Sequence, residues 1–222
     1  MKKMQLVALL FTIFSVCGAH NTWWGPTGVI QMPTPGILRP QQGAAHINMS
    51  FAGDDHYMGM NASYTLNDQM EVAFSETSGL KMRSGDSITM AFKYVPVANF
   101  AVGTMFDFHN DFKHTAYAVL GAPSSNVYMG LGANFGSGRY ALLGNYSPTD
   151  RDMESIFFMA GAKMDLSEFY PSLEASVDFN GESMAVGLGM ITKTNLDVEL
   201  DYKSSGDVFG DSQFVVSVGR KF

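Results

Sequence analysis

The chain has 222 residues, 46% of them hydrophobic and only 16% charged, with a net charge of −7. Average globular domains carry about 25% charged residues, yet the mean hydropathy is only +0.02, which excludes a helical membrane protein, and the acidic balance argues against nucleic acid as a partner. Low charge at middling hydropathy is what alternation of apolar with small or polar residues produces, and 23 glycines with 13% aromatics suit a β-barrel.

The first 19 residues read as an export signal. Lys2 and Lys3 make a basic start, Met4 to Val16 is an apolar run of 13 residues, and Cys17-Gly18-Ala19 supplies small residues for cleavage before His20. The alternative is lipidation at Cys17, against which Val16 counts. With cleavage after Ala19 the mature chain holds no cysteine, so neither disulfide nor thiol chemistry is expected. No other stretch approaches 18 apolar residues, so no transmembrane helix is predicted.

Residues 20–40 differ from the remainder of the chain. Pro26, Pro33, Pro35 and Pro40, with Gly25, Gly28 and Gly36, exclude a long strand or helix. Trp23, Trp24, Val29, Ile30, Ile37 and Leu38 nevertheless need a surface to bury against. The segment therefore reads as a plug or lid of a barrel, carried by Trp23, Trp24, Gly25, Pro26, Thr27, Gly28, Ile30, Pro33 and Thr34. The alternative is a flexible leader on the periplasmic side.

From residue 41 to 222 the period is two, and the stretch reads as one β-barrel domain. Met58, Met60, Ala62, Tyr64 and Leu66 alternate with Tyr57, Gly59, Asn61, Ser63 and Thr65. The same pattern recurs through Met70–Phe74, Ile88–Tyr94, Phe100–Phe108, Val127–Phe135, Ile156–Met164, Leu173–Phe179, Met184–Met190, Leu196–Tyr202 and Phe214–Val218. Segments of this length suit tilted strands crossing a bilayer. Asn67-Asp68, Ser84-Gly85-Asp86, Asn180-Gly181 and Ser204-Ser205-Gly206 supply turn chemistry between them. The expected fold is all-β: a closed antiparallel transmembrane β-barrel of about 12 strands, the count being even in barrels of this kind.

The charges say which face meets what. A Lys or Arg facing lipid at mid-bilayer costs about 2–4 kcal/mol. Nearly all mid-strand charges fall on the small, polar register: Glu71, Lys93, Asp107, Lys163, Glu174, Asp178, Asp197, Glu199, Asp201 and Lys203. That register is expected to line the lumen, and the Met, Leu, Val and Phe register to face lipid. A soluble barrel would be the inverse. Phe214, Val216, Val218 and the terminal Phe222 look like the C-terminal signal read by the barrel assembly machinery, with Arg220 interrupting the alternation.

The phrase Gly25-Pro26-Thr27-Gly28-Val29-Ile30-Gln31-Met32-Pro33-Thr34 resembles the opening of the YjbH/GfcD-like family of outer-membrane proteins linked to exopolysaccharide and capsule production. In that family such a phrase precedes a short first strand, the place taken here by Ala45–Phe51. The hairpin from His56 to Thr77, the stretch Asp86–Phe108 and Tyr128-Met129-Gly130-Leu131-Gly132 are also similar to the family's early barrel. Fuller members carry two barrel-type domains, and this chain has room for one. The resemblance implies a barrel of the bacterial outer membrane that assists export or surface anchoring of an exopolysaccharide, with polysaccharide and periplasmic export proteins as partners.

Other chemistry is sparse. Seven lumen acids against three lysines could favour cations or neutral sugars, or the charges could form ion pairs that merely satisfy the interior. His109 and His114 flank Asn110-Asp111, but no further metal ligand accompanies them. Gly130-x-Gly132-x-x-x-Gly136 falls within a strand pattern and reads as space on the lumen side, not a nucleotide fingerprint. No Gly-x-Ser-x-Gly elbow appears, so no catalytic residue, metal or cofactor is assigned and no enzyme is expected. Two alternatives stay open: a structural or passive, porin-like pore without a specific ligand, and a barrel hydrolase using a Ser–His pair near His109 or His114. A monomer surrounded by outer-membrane lipid is expected.

Overall fold

The computed structural model of the chain describes residues 20–23, 26–52, 55–79, 87–108, 113–122, 126–135, 155–180, 183–204 and 212–222. The expected export signal, residues 1–19, lies outside the described residues, as do Trp24 and Gly25.

Two short strands, β1 (His20–Asn21) and β2 (Thr27–Gly28), pair with each other before the main sheet begins. Twelve strands make up that sheet: β3 (Gly43–Ala52), β4 (Asp55–Asn67), β5 (Met70–Gly79), β6 (Ser87–Val97), β7 (Phe100–Asp107), β8 (Lys113–Ala122), β9 (Val127–Phe135), β10 (Ser155–Asp165), β11 (Leu173–Phe179), β12 (Met184–Ile191), β13 (Leu196–Lys203) and β14 (Gln213–Lys221). Each pairs antiparallel with its neighbours in chain order. β14 closes on β3 from Gln213↔Ala52 to Lys221↔Ala44, so the sheet is a closed 12-stranded barrel. Closure removes the sheet edges and gives backbone groups partners within the barrel wall, as hydrocarbon surroundings demand. Pro96 is accommodated near the end of β6 where the register with β7 shifts between Tyr94 and Val97, a place where a missing donor breaks no ladder bond.

The connections sort by end. At one end they are 68–69, 98–99, 123–126, 166–172 and 192–195; at the other the longest covers 136–154. Asn126 and Asn195 take positive φ (52° and 60°) in two of the short connections, a conformation that asparagine tolerates better than most residues. Gly43 and Phe222 meet at the short-connection end through reciprocal backbone hydrogen bonds of 2.8 and 2.9 Å.

The outer face carries the apolar register. Met60, Leu66, Leu131, Val186 and Leu188 are each close to half exposed in the isolated chain. Towards the long-connection end, outward rings occupy directly paired positions: Tyr202↔Phe214, Phe214↔Phe51 and Phe51↔His56 on one side, Phe106↔His114 and His114↔Phe135 on the other. Such rings suit the interface of a bilayer. The protein is a transmembrane β-barrel: most of its apolar strand side chains look outward, and most of its mid-strand charges look inward.

Candidate functional site

The barrel interior is occupied by the described part of residues 21–38. Asn21, Thr22, Val29, Ile30, Gln31, Met32 and Thr34 are all buried, and the chain leads out to the wall through Gln41 and Gln42, whose backbones exchange hydrogen bonds with Thr65 on β4. Within the segment, β1–β2 pairing, Thr22 N donating to Pro26 O (2.7 Å) and Trp23 N donating to Ile30 O (3.0 Å) make a compact double turn. Its tip is a tight loop over residues 28–33, clipped by Val29 N donating to Met32 O (2.9 Å) and by a bridge between Gly28 and Pro33. Gly28 is required there: a Cβ would collide with the carbonyl of Met32 and the methyl of Thr22.

The tip is held by one carboxylate. Oδ2 of Asp178, on the inward face of β11, accepts from the backbone amides of Ile30 (3.0 Å), Gln31 (2.6 Å) and Met32 (2.9 Å). Oδ1 accepts from the Gln31 side chain at 3.3 Å, and Asn180 Nδ2 donates to Gln31 Oε1 at 3.1 Å. Further contacts are spread around the wall. Trp23 Nε1 donates to Asp201 Oδ2 at 3.1 Å, and the Lys203 ammonium lies 5.8 Å from the centre of the Trp23 ring. Asn21 donates to Asn61 Oδ1 (3.1 Å) and accepts from Ser63 Oγ (2.7 Å). Lys93 Nζ donates to the carbonyl of Gly36 at 2.6 Å.

The remaining inward charges are brought together mainly with one another. Glu71 and Lys93, paired across β5 and β6, form an ion pair of 3.2 Å. Lys163 meets Glu174 at 3.0 Å, and Asp197 meets His46 Nε2 at 3.2 Å. Glu199 lies on the inward face of β13 between Asp197 and Asp201, directly opposite Ser217 of β14, and Asp107 is buried on the inward face of β7. Buried charge is tolerated only when it is paired or hydrogen-bonded. The acids that touch the plug are engaged by its amide and indole donors, so the lumen is not a bare acidic lining.

The interior has a second wall that charge alone does not mark. Ala91 and Val95 of β6, Ala101 and Met105 of β7, Tyr117 and Val119 of β8, and Phe157 and Met159 of β10 form a buried apolar cluster with Met32 of the plug, and Ile37 packs on it. The lumen side is therefore not uniformly small and polar. One signal for this lies in the sequence: Ile156-Phe157-Phe158-Met159 is apolar on both registers, as a strand buried on both faces must be. Nor are the glycines simply empty space. Rings lie over directly paired glycines, Tyr117 over Gly103, Phe157 over Gly132 and His46 over Gly219, so that each glycine receives the ring of its neighbour.

His109 falls outside the described residues. The His114 ring faces outward, stacked against Phe135 (centroids 4.6 Å apart) and Phe106 (5.8 Å). Phe214 and Val218 are outward on β14, and Val216 lies between them on the same register.

No family model matches the chain, and no curated protein matches it in sequence. Among solved structures it is similar to one reported as "Unveiling the Mechanism Behind the in-meso Crystallization of Membrane Proteins", at 11% identity and a TM-score of 0.51, covering 82% of this chain and 83% of that one. It also matches the NanC porin at 9% identity and a TM-score of 0.49, covering 81% and 98%. The translocator domain of the autotransporter NalP from Neisseria meningitidis matches at 13% identity and a TM-score of 0.40, covering 82% and 86%. At these identities the likeness is one of fold.

Proposed function

We propose that this chain is a barrel of the bacterial outer membrane, closed by its own N-terminal segment, that assists export or surface anchoring of an exopolysaccharide. One observation carries the reading. Residues 26–34 of the phrase that resembles the YjbH/GfcD-like opening lie within the lumen, and their Ile30-Gln31-Met32 tip is hydrogen-bonded to Asp178. A phrase on a flexible leader would carry no such constraint; a phrase packed between two walls of a barrel does. No connection at the end where Gly43 and Phe222 meet exceeds seven residues, whereas the opposite end carries those of nine and nineteen residues, 204–212 and 136–154. In outer-membrane barrels short turns face the periplasm and long loops face outward. The plug then enters from the periplasmic side, where export proteins are within reach.

An open passive pore fits less well, because Val29, Ile30, Gln31 and Met32 lie buried within the lumen. The test is genetic and chemical. Deleting the gene in its own host is expected to lower the polysaccharide retained at the cell surface or released to the medium, with restoration by the wild-type gene. Unchanged amount, chain length and retention in the deletion strain overturn the polysaccharide assignment.

A further inference from the structure

Three consecutive backbone amides, of Ile30, Gln31 and Met32, converge on one oxygen of Asp178. Successive amides turned to one side make a concave anion receptor. Here the anion is supplied by the barrel wall, and the receptor is the tip of the plug. The contact is cooperative by geometry: the tip is a rigid loop clipped at residues 28–33, so a shift of the tip lengthens all three bonds together. Charge-assisted bonds in a low-dielectric interior are strong while intact and leave costly orphans when lost. The rest of the segment is attached differently. Residues 41–42 belong to the wall through their bonds to Thr65, and Gly36 is tied to Lys93 nearer that end.

We propose that Asp178 is a latch: its contact with the tip holds the barrel shut, and its loss lets the tip leave the lumen while residues 36–42 remain as a leash. This rests on the reading of residues 20–40 as a plug and is independent of what crosses the barrel. Two discrete arrangements, docked and undocked, make a switch that a small bias can move.

The experiment uses the full mature chain in planar bilayers with potassium chloride as the permeant probe. Asp178→Ala is expected to raise open probability roughly ten- to a hundredfold over wild type, the factor expected when several charge-assisted bonds are lost from one of two states. Asp178→Asn, which keeps an acceptor oxygen but not the charge, should fall between them. Gln31→Cys in residues 20–222, which hold no other cysteine, reports the tip directly: its labelling by a membrane-impermeant maleimide should be slow with Asp178 present and fast in the Asp178→Ala background. Joining Gln31→Cys to Asn180→Cys with a short bismaleimide should close the Asp178→Ala channel again, which a merely loosened barrel would not do. Unchanged conductance with a tip that remains unlabelled overturns the latch and leaves the plug held by its other contacts. A tip that becomes labelled without any rise in conductance also overturns it, because the lumen would then be shut by something else.

Discussion

At the scale of single residues, the plug depends on positions where one atom too many or too few changes the fold locally. Gly28 is the sharpest. A side chain there meets the Met32 carbonyl inside the clipped loop, and because that contact is backbone, no rotamer relieves it. Gly28→Val is expected to undo the 28–33 loop and with it the convergence of amides on Asp178, while the strands stay paired. Tryptophan emission checks this: Trp23 is partly buried beside Asp201 and Lys203, so the variant should show a red-shifted spectrum and faster proteolysis within residues 20–40. A spectrum matching wild type counts against so tight a loop. Gly28 could be marked in the sequence only as part of a phrase; the atom that forbids its replacement is four residues away and is brought back by a turn.

At the scale of elements, one strand shows how the two faces divide. On β12, Leu188 is half exposed and is flanked on the outer surface by Ala175 and Leu200, while Gly187 and Gly189 lie on the inner register beside Asp201 and Glu199. Leu188→Arg is expected to cost about 2–4 kcal/mol of folding free energy in lipid vesicles, the range for arginine near the bilayer midplane. Leu188→Phe should be nearly neutral, because it keeps an apolar surface in contact with lipid. Denaturant unfolding in vesicles measures both, and a cost for arginine below about 0.5 kcal/mol, the range of ordinary surface substitutions, would place this face in water. Strands β11 to β14 show this alternation plainly in sequence because their inner face is mostly small or polar. Strands β7, β8 and β10 do so less well, since Met105, Tyr117, Val119, Phe157 and Met159 face an apolar half of the lumen. Period-two reasoning marks a strand by contrast between its faces, and that contrast fades where both are apolar.

At the scale of the whole molecule, barrel and plug are held by different forces. The barrel is closed by hydrogen bonds between neighbouring strands, none of which needs the plug. The plug is held by side-chain contacts and by burial of Val29, Ile30, Met32 and Leu38, each worth about 1.5–3 kcal/mol when fully buried. Removing residues 20–40 should therefore leave the strand signal in far-ultraviolet circular dichroism intact, lower the thermal midpoint and open a conducting lumen in planar bilayers. A deletion variant that folds but conducts no better than wild type would show that the plug is not what closes the barrel. Wild type itself is expected to conduct poorly.

The architecture is legible in the sequence: an all-β chain, strands of bilayer-crossing length, a count of about 12, and the sorting of most charge inward and most grease outward. These come from local periodicity and from the cost of charge in hydrocarbon, both of which act on each strand separately. The sequence also sets residues 20–40 apart, since proline and glycine forbid regular structure and tryptophan, isoleucine and leucine need cover. Where that cover lies, and what each charge meets, follow from packing in the folded chain. That Asp178 faces three amides nearly 150 positions earlier, or that Asp197 of β13 meets His46 of β3 over the intervening β14, depends on how the barrel closes and on the path the plug takes through it. Neither is encoded in the spacing of any one segment, because such contacts are fixed by the packing of all the strands at once.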